Sequence, residues 1–130
     1  MQEDKLNKDY DLNKLAYLGD AFFELYTRNK LYDKYKDKLN MNEMHKLNTN
    51  LVCAKNQSVF IDKILDENIL NEDELMIYKS ARNLHTNTKS KNSPVRDYRK
   101  ATGLEALIGY LYINNNTKRA LEILSNFNID

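Results

Sequence analysis

Tryptophan is absent from this sequence, and cysteine, proline and glycine are nearly so, at one, one and three of 130 residues. So few turn-forming residues argue against a strand-rich fold, which also calls for more Val, Ile and Thr. Abundant Leu, Lys, Asn and Glu predict helices instead. The single cysteine, Cys53, excludes an internal disulfide and fits a reducing compartment. An excess of one charge is missing too. Twenty Lys and Arg against nineteen Asp and Glu leave +1. That excludes a polybasic tail but says nothing of local patches. No apolar run approaches the roughly 18 residues needed to span a bilayer. The opening stretch MQEDKLNKDYDLN is polar and carries no signal segment. No membrane is expected as a partner, and the expected location is the cytoplasm.

What is present is helical periodicity. With no internal repeat and no Gly/Ser/Pro linker, the chain reads as one all-α domain over residues 1–130. Leu15, Leu18, Phe22 and Leu25 predict a helix over residues 11–32, and a short charged helix is expected over 33–39. Residues 41–68 read as one or two helices. Asn71, followed by Glu72, Asp73 and Glu74, reads as an N-cap with acids in the first turn of a helix ending near Asn83. LHTNTKSKNSPV, from Leu84 to Val95, is the one long polar stretch, and loops of that length are often functional. Tyr98 to Ile113 is the most apolar helix, and a last one is expected over 117–126.

Two carboxylates stand out against this pattern. AYLGDAFFELY, Ala16 to Tyr26, places Asp20 at the edge of the arc formed by Leu15, Leu18, Phe22, Leu25 and Tyr26. ATGLEALIGYLY, Ala101 to Tyr112, places Glu105 at the margin of its own apolar face, with Gly109 removing side-chain bulk one turn later. Two such helices facing each other can share a cation. A lone acid on an amphipathic helix is commonly just solvated, and Glu24 has a ready partner in Arg28 four residues on. The pattern alone therefore leaves both readings open. His45 and His85 lack metal-ligand spacing. Cys53, among Leu51, Val52 and Ala54, reads as a buried apolar thiol rather than a nucleophile.

LGDA at 18–21 and LEALIGYLY at 104–112 resemble the two signature segments of ribonuclease III catalytic domains. The likeness spans about residues 12–115. It is closest to the short Mini-ribonuclease III branch, which lacks a double-stranded-RNA-binding domain. The resemblance implies an all-helical, dimeric, Mg²⁺-dependent endoribonuclease, with Mn²⁺ as a possible substitute. Its implied substrate is double-stranded RNA, in that branch the 23S ribosomal RNA precursor stem, with ribosomal proteins as possible helpers. Asp20 and Glu105 match the family's catalytic, metal-binding acids. Tyr17 falls where the family has an aromatic packing across the dimer two-fold; an ordinary core tyrosine is the other reading.

Two acids of the larger enzymes are replaced here by Ala16 and Thr102, which leaves the ligand count open. Duplex RNA is met through phosphates and 2′-hydroxyls. The expected contacts are Arg82, Asn83, Lys89, Lys91, Arg96, Arg99 and Lys100, each of which is otherwise a solvated side chain. The rivals are an RNA-binding dimer of the same fold that has lost catalysis, and a helical interaction protein whose acids merely face water.

Overall fold

The computed structural model describes residues 10–84 and 95–129. Six helices and no strand occur among these residues: α1 Leu12–Tyr35, α2 Met41–Leu51, α3 Ala54–Asp66, α4 Glu72–Arg82, α5 Val95–Ile113 and α6 Thr117–Leu124. The all-α expectation holds. The separate helix expected over 33–39 does not form, because nothing between Arg28 and Tyr35 breaks α1. It runs on to Tyr35 and ends in a turn in which the Lys36 N–H meets the Tyr32 carbonyl and the Leu39 N–H meets that of Tyr35. The 41–68 region is two helices, parted at Val52–Cys53.

Capping explains most of the boundaries. The Asp11 carboxylate accepts from the Asn13 and Lys14 N–H groups and starts α1. Asn40 with Glu43, and Asn71 with Glu74, form reciprocal capping boxes on α2 and α4. Asn68 and Asn115 take left-handed φ values of 54° and 59° just past α3 and α5. At each, the next residue reaches back five positions, Ile69 to Ile64 and Asn116 to Leu111, which turns the chain sharply. The break between α2 and α3 is closed by side chains. Asn56 Nδ2 donates to the Asn50 and Leu51 carbonyls, and Gln57 Nε2 to that of Val52. These are carbonyls that the end of α2 would otherwise leave orphaned.

Helix α5 is the hub, with α1, α3, α4 and α6 packed on it. Leu104, Ala106, Leu107 and Ile108 are fully buried, as its apolar pattern predicted. The inward face of α1 is not the expected arc. It is Leu12, Leu15, Ala16, Gly19, Phe23, Thr27 and Leu31, while Leu25 is 60% exposed and Phe22 is half-buried against Tyr112. Large apolar residues stand on both sides of this helix, so size misleads. The small residues Ala16 and Gly19 mark the side on which α5 comes closest. Tyr17 is 84% exposed, which rules out the core-tyrosine reading within the chain. Cys53 is also exposed, at the N-cap of α3, which corrects the expected buried thiol.

One buried ion pair ties the far end together. Glu74, 2% exposed, receives Arg119 Nε and Nη2 at 2.8 Å each, and Nη2 also donates to the Ile69 carbonyl at 2.7 Å. Burial alone would raise the Glu74 pKa, but Arg119 and the Asn71 N–H outweigh it and hold the carboxyl below its usual range. No described helix is long and apolar enough to cross a membrane.

Candidate active site

The two acids are brought together by the crossing of α1 and α5. A Cβ added to Gly19 would lie 1.7 Å from the Glu105 carbonyl oxygen, and one added to Gly109 would lie 2.0 Å from that of Leu15. The backbones are in contact there, which only glycine permits on both sides. Asp20 follows Gly19 directly, and Glu105 is the residue that Gly19 meets. Close approach of the backbones therefore fixes the approach of the carboxylates.

Glu105 responds to this setting. Burial, then the negative charge of Asp20 and a hydrogen bond to it, push its carboxyl up to about 8; a weaker bond from Gln57 pulls the other way. At neutral pH Glu105 is thus largely protonated and donates to the Asp20 carboxylate. The pair fits a divalent cation, because positive charge between the two groups offsets the repulsion from Asp20 and favours the ionised form of Glu105. Among the described residues no three His, Cys, Asp or Glu converge on one point. A two-carboxylate set suits Mg²⁺, which keeps several waters and needs few protein ligands. A polar side chain that sequence reasoning missed completes the setting. Gln57 is 4% exposed, and its Nε2 lies 3.4 Å from Glu105 Oε2. Its signal was legible: 57, 60, 61 and 64 are spaced as one helix face, and an amide among Phe60, Ile61 and Ile64 calls for a reason.

Glu24 sits one turn beyond Asp20. Its Oε1 accepts from Arg28 at 3.3 Å, as expected, and from Asn48 Nδ2 at 2.9 Å. Asn48 is the one buried residue of α2, and its Oδ1 receives the Thr27 hydroxyl at 2.7 Å. Glu24 thereby serves to dock α2 on α1. At the positions where the larger enzymes carry acids, Ala16 is buried and the Thr102 hydroxyl donates to the Tyr98 carbonyl at 3.1 Å.

The expected RNA contacts have unequal settings. Lys89 and Lys91 lie outside the described residues, as does His85. Arg82 lies across the buried Tyr78 ring, 5.6 Å from its centre, and its Nε donates to Asn83 Oδ1 at 3.1 Å. Lys100 is bound to Asp62 at 2.9 and 3.1 Å. Arg96 is exposed, while Arg99 is half-buried, and its Nε is buried without a partner in the described structure. His45 is exposed on the rim of a groove of about 350 Å³ between α1 and α2, away from Asp20 and Glu105.

The sequence profile of the Ribonuclease III domain matches residues 13–116. A Mini-ribonuclease 3 of Clostridium tetani is 44% identical over 110 residues, covering 85% of this chain and 71% of that protein. The Mini-ribonuclease 3 of Enterococcus faecalis is 38% identical over 111 residues, covering 85% and 83%. A crystal structure of a protein from Fusobacterium nucleatum superposes with a TM-score of 0.77 at 33% identity, covering 90% of each chain. The matched span contains both glycines of the crossing and both acids beside them, and on these grounds the chain belongs to the ribonuclease III domain family, in its mini-ribonuclease 3 branch.

Proposed function

We propose that this protein is a divalent-metal-dependent endoribonuclease that cuts double-stranded RNA, with a stem of the 23S ribosomal RNA precursor as its substrate. The observation that carries this reading is the apposition of Asp20 and Glu105 across the Gly19–Gly109 crossing. Two acids forced together, one of them pushed up to about 8, form a site that a divalent ion relieves and a solvated surface pair does not.

The reaction is hydrolysis of a phosphodiester, with water adding to phosphorus and the 3′ oxygen leaving, so that 5′-phosphate and 3′-hydroxyl ends result. Mg²⁺, or Mn²⁺ in its place, would supply acidification of the attacking water and offset negative charge on the phosphate oxygens. Asp20 and Glu105 would hold the ion at the crossing of α1 and α5. Glu105 would bind it as the ionised carboxylate, so occupancy of the site should rise with pH. Arg96, Arg99 and Arg82, together with Lys89 and Lys91 from the segment between α4 and α5, meet phosphates, and Asn83 adds a polar contact. Contacts through phosphates rather than base edges suit duplex RNA.

A second copy of the chain is the proposed partner. Tyr17 and Leu25, 84% and 60% exposed, are apolar side chains on the outward side of α1, and Tyr17 lies one turn before Asp20. Such exposure favours a dimer that sets one site against each strand. The proposed location is the cytoplasm.

The test is a duplex RNA incubated with the protein and Mg²⁺, or with chelator, and resolved by electrophoresis. Cutting that needs the ion supports the reading. Tight binding without cutting would favour a silent RNA-binding dimer, which the missing acids at 16 and 102 would suit.

A further inference from the structure

Gln57 occupies an inward position on α3, 4% exposed, where its neighbours on the same face are Phe60, Ile61 and Ile64. Burying an amide there is unfavourable unless its hydrogen bonds are met. Its donors are used: Nε2 gives one hydrogen to the Val52 carbonyl at 2.9 Å and the other to Glu105 Oε2 at 3.4 Å. Its acceptor is not: Oε1 is buried with no partner in the described structure. The amide cannot be turned over to cure this, because a carbonyl accepts and only the NH₂ end can face Val52. An unmet acceptor is thus carried by the same amide whose Nε2 lies 3.4 Å from Glu105 Oε2.

We infer that Gln57 is a positioning residue of the proposed metal site, which fixes Glu105 through Nε2 and receives, at Oε1, a hydrogen of a water in the shell of the divalent ion. The inference rests on the metal-site reading above. Mg²⁺ keeps most of its waters, so a two-carboxylate site needs neutral acceptors around it as well as ligands. An amide supplies an acceptor without adding a third negative charge to a pair already crowded. It also stops the Glu105 carboxylate from rotating off the ion, since its own orientation is pinned by the chain at Val52.

The sequence holds only two glutamines, Gln2 and Gln57, so glutamine-selective ¹⁵N labelling of the full chain gives two side-chain amide signals. On titration with Mg²⁺ in the absence of RNA, the Gln57 signal is expected to shift and saturate with ion binding, while Gln2 serves as reference. Gln57→Met identifies the signal by its loss. It is expected to weaken Mn²⁺ binding by calorimetry about tenfold to a hundredfold, and to lower kcat similarly with KM for RNA unchanged. A role in packing alone would lower the melting temperature and leave ion affinity and kcat where they were, which would overturn the inference. Should Gln57→Met fail to fold, the titration of the wild-type protein decides alone. Asp20→Asn separates the two levels of failure. If it abolishes ion binding while Gln57 is indifferent to Mg²⁺, the inference falls and the metal site stands. If Asp20→Asn binds the ion as wild type does, both fall.

Discussion

Gly19 of α1 and Gly109 of α5 lie backbone to backbone, and a methyl group on either would enter the carbonyl of the opposite helix, at 1.7 Å and 2.0 Å. Overpacking a core typically costs 1–3 kcal/mol when side chains can yield. Here the obstacle is main chain, so Gly19→Ala and Gly109→Ala should each destabilise by about 3 kcal/mol or more. Urea unfolding measures this, and an unchanged midpoint for either variant would refute the close crossing.

Asp20→Asn and Glu105→Gln are expected to lower the rate of duplex cleavage on the order of a thousandfold at saturating Mg²⁺, because a metal centre supplies several kcal/mol to the transition state. Folding should not suffer. Removing one of two close acids relieves repulsion, so the melting temperature of the metal-free protein should hold or rise. Cleavage within tenfold of wild type would exclude these acids from the chemistry.

The setting of Glu105 also predicts a pH effect on the metal-free protein. Its carboxyl titrates at about 8 when folded and near its ordinary value of 4.5 when unfolded, so between those values the folded state binds more protons. Stability should therefore fall as pH rises from about 4.5 to about 8, and Glu105→Gln should flatten the slope. Thermal unfolding across that range, with chelator present, measures the difference between the two proteins.

Away from the site, Arg119→Ala would leave the Glu74 carboxylate buried without its cation. Breaking a buried pair from one side costs about 3–5 kcal/mol, whereas replacing both partners with apolar residues of similar size costs far less. Denaturant titration of Arg119→Ala beside the double variant Glu74→Leu/Arg119→Met separates the two; equal losses would mean that the pair is not coupled.

Among the basic residues, Arg96 and Lys100 should differ. Arg96 is exposed, while Lys100 is engaged by Asp62 at 2.9 Å. Arg96→Ala should weaken RNA binding and reduce the magnitude of the salt slope by about one unit. Lys100→Ala should do less, since its charge is already offset. Filter binding across a series of salt concentrations decides, and a larger loss for Lys100 would place the RNA on the α3 side of α5.

Most helices and both acids were legible in the sequence because they depend on local signals: the cap at Asn71, the apolar run of α5, and two marginal carboxylates beside glycine. The inward face of α1 was not, because its contact with α5 is made by the smallest residues, Ala16 and Gly19, while Leu25, which periodicity places inside, stands in solvent. Periodicity weighs size, and a backbone crossing reverses that weight. The second helix over 33–39 failed for the opposite reason: charge density suggested a boundary where no residue interrupts hydrogen bonding. The inward place of Gln57 among Phe60, Ile61 and Ile64 was legible, but its tie to Glu105 was not, because forty-eight residues separate them and only the fold brings them near.

The interruption at Val52–Cys53 has a use that a continuous rod would forfeit. In an unbroken helix from 41 to 66 the Val52 carbonyl would be taken by the amide of residue 56, four places on. Freed by the break, it becomes the anchor that sets the angle of Gln57 and, through it, the reach of α3 towards Glu105. Straightening this joint to gain thermal resistance would take away the carbonyl that holds the Gln57 amide beside Glu105.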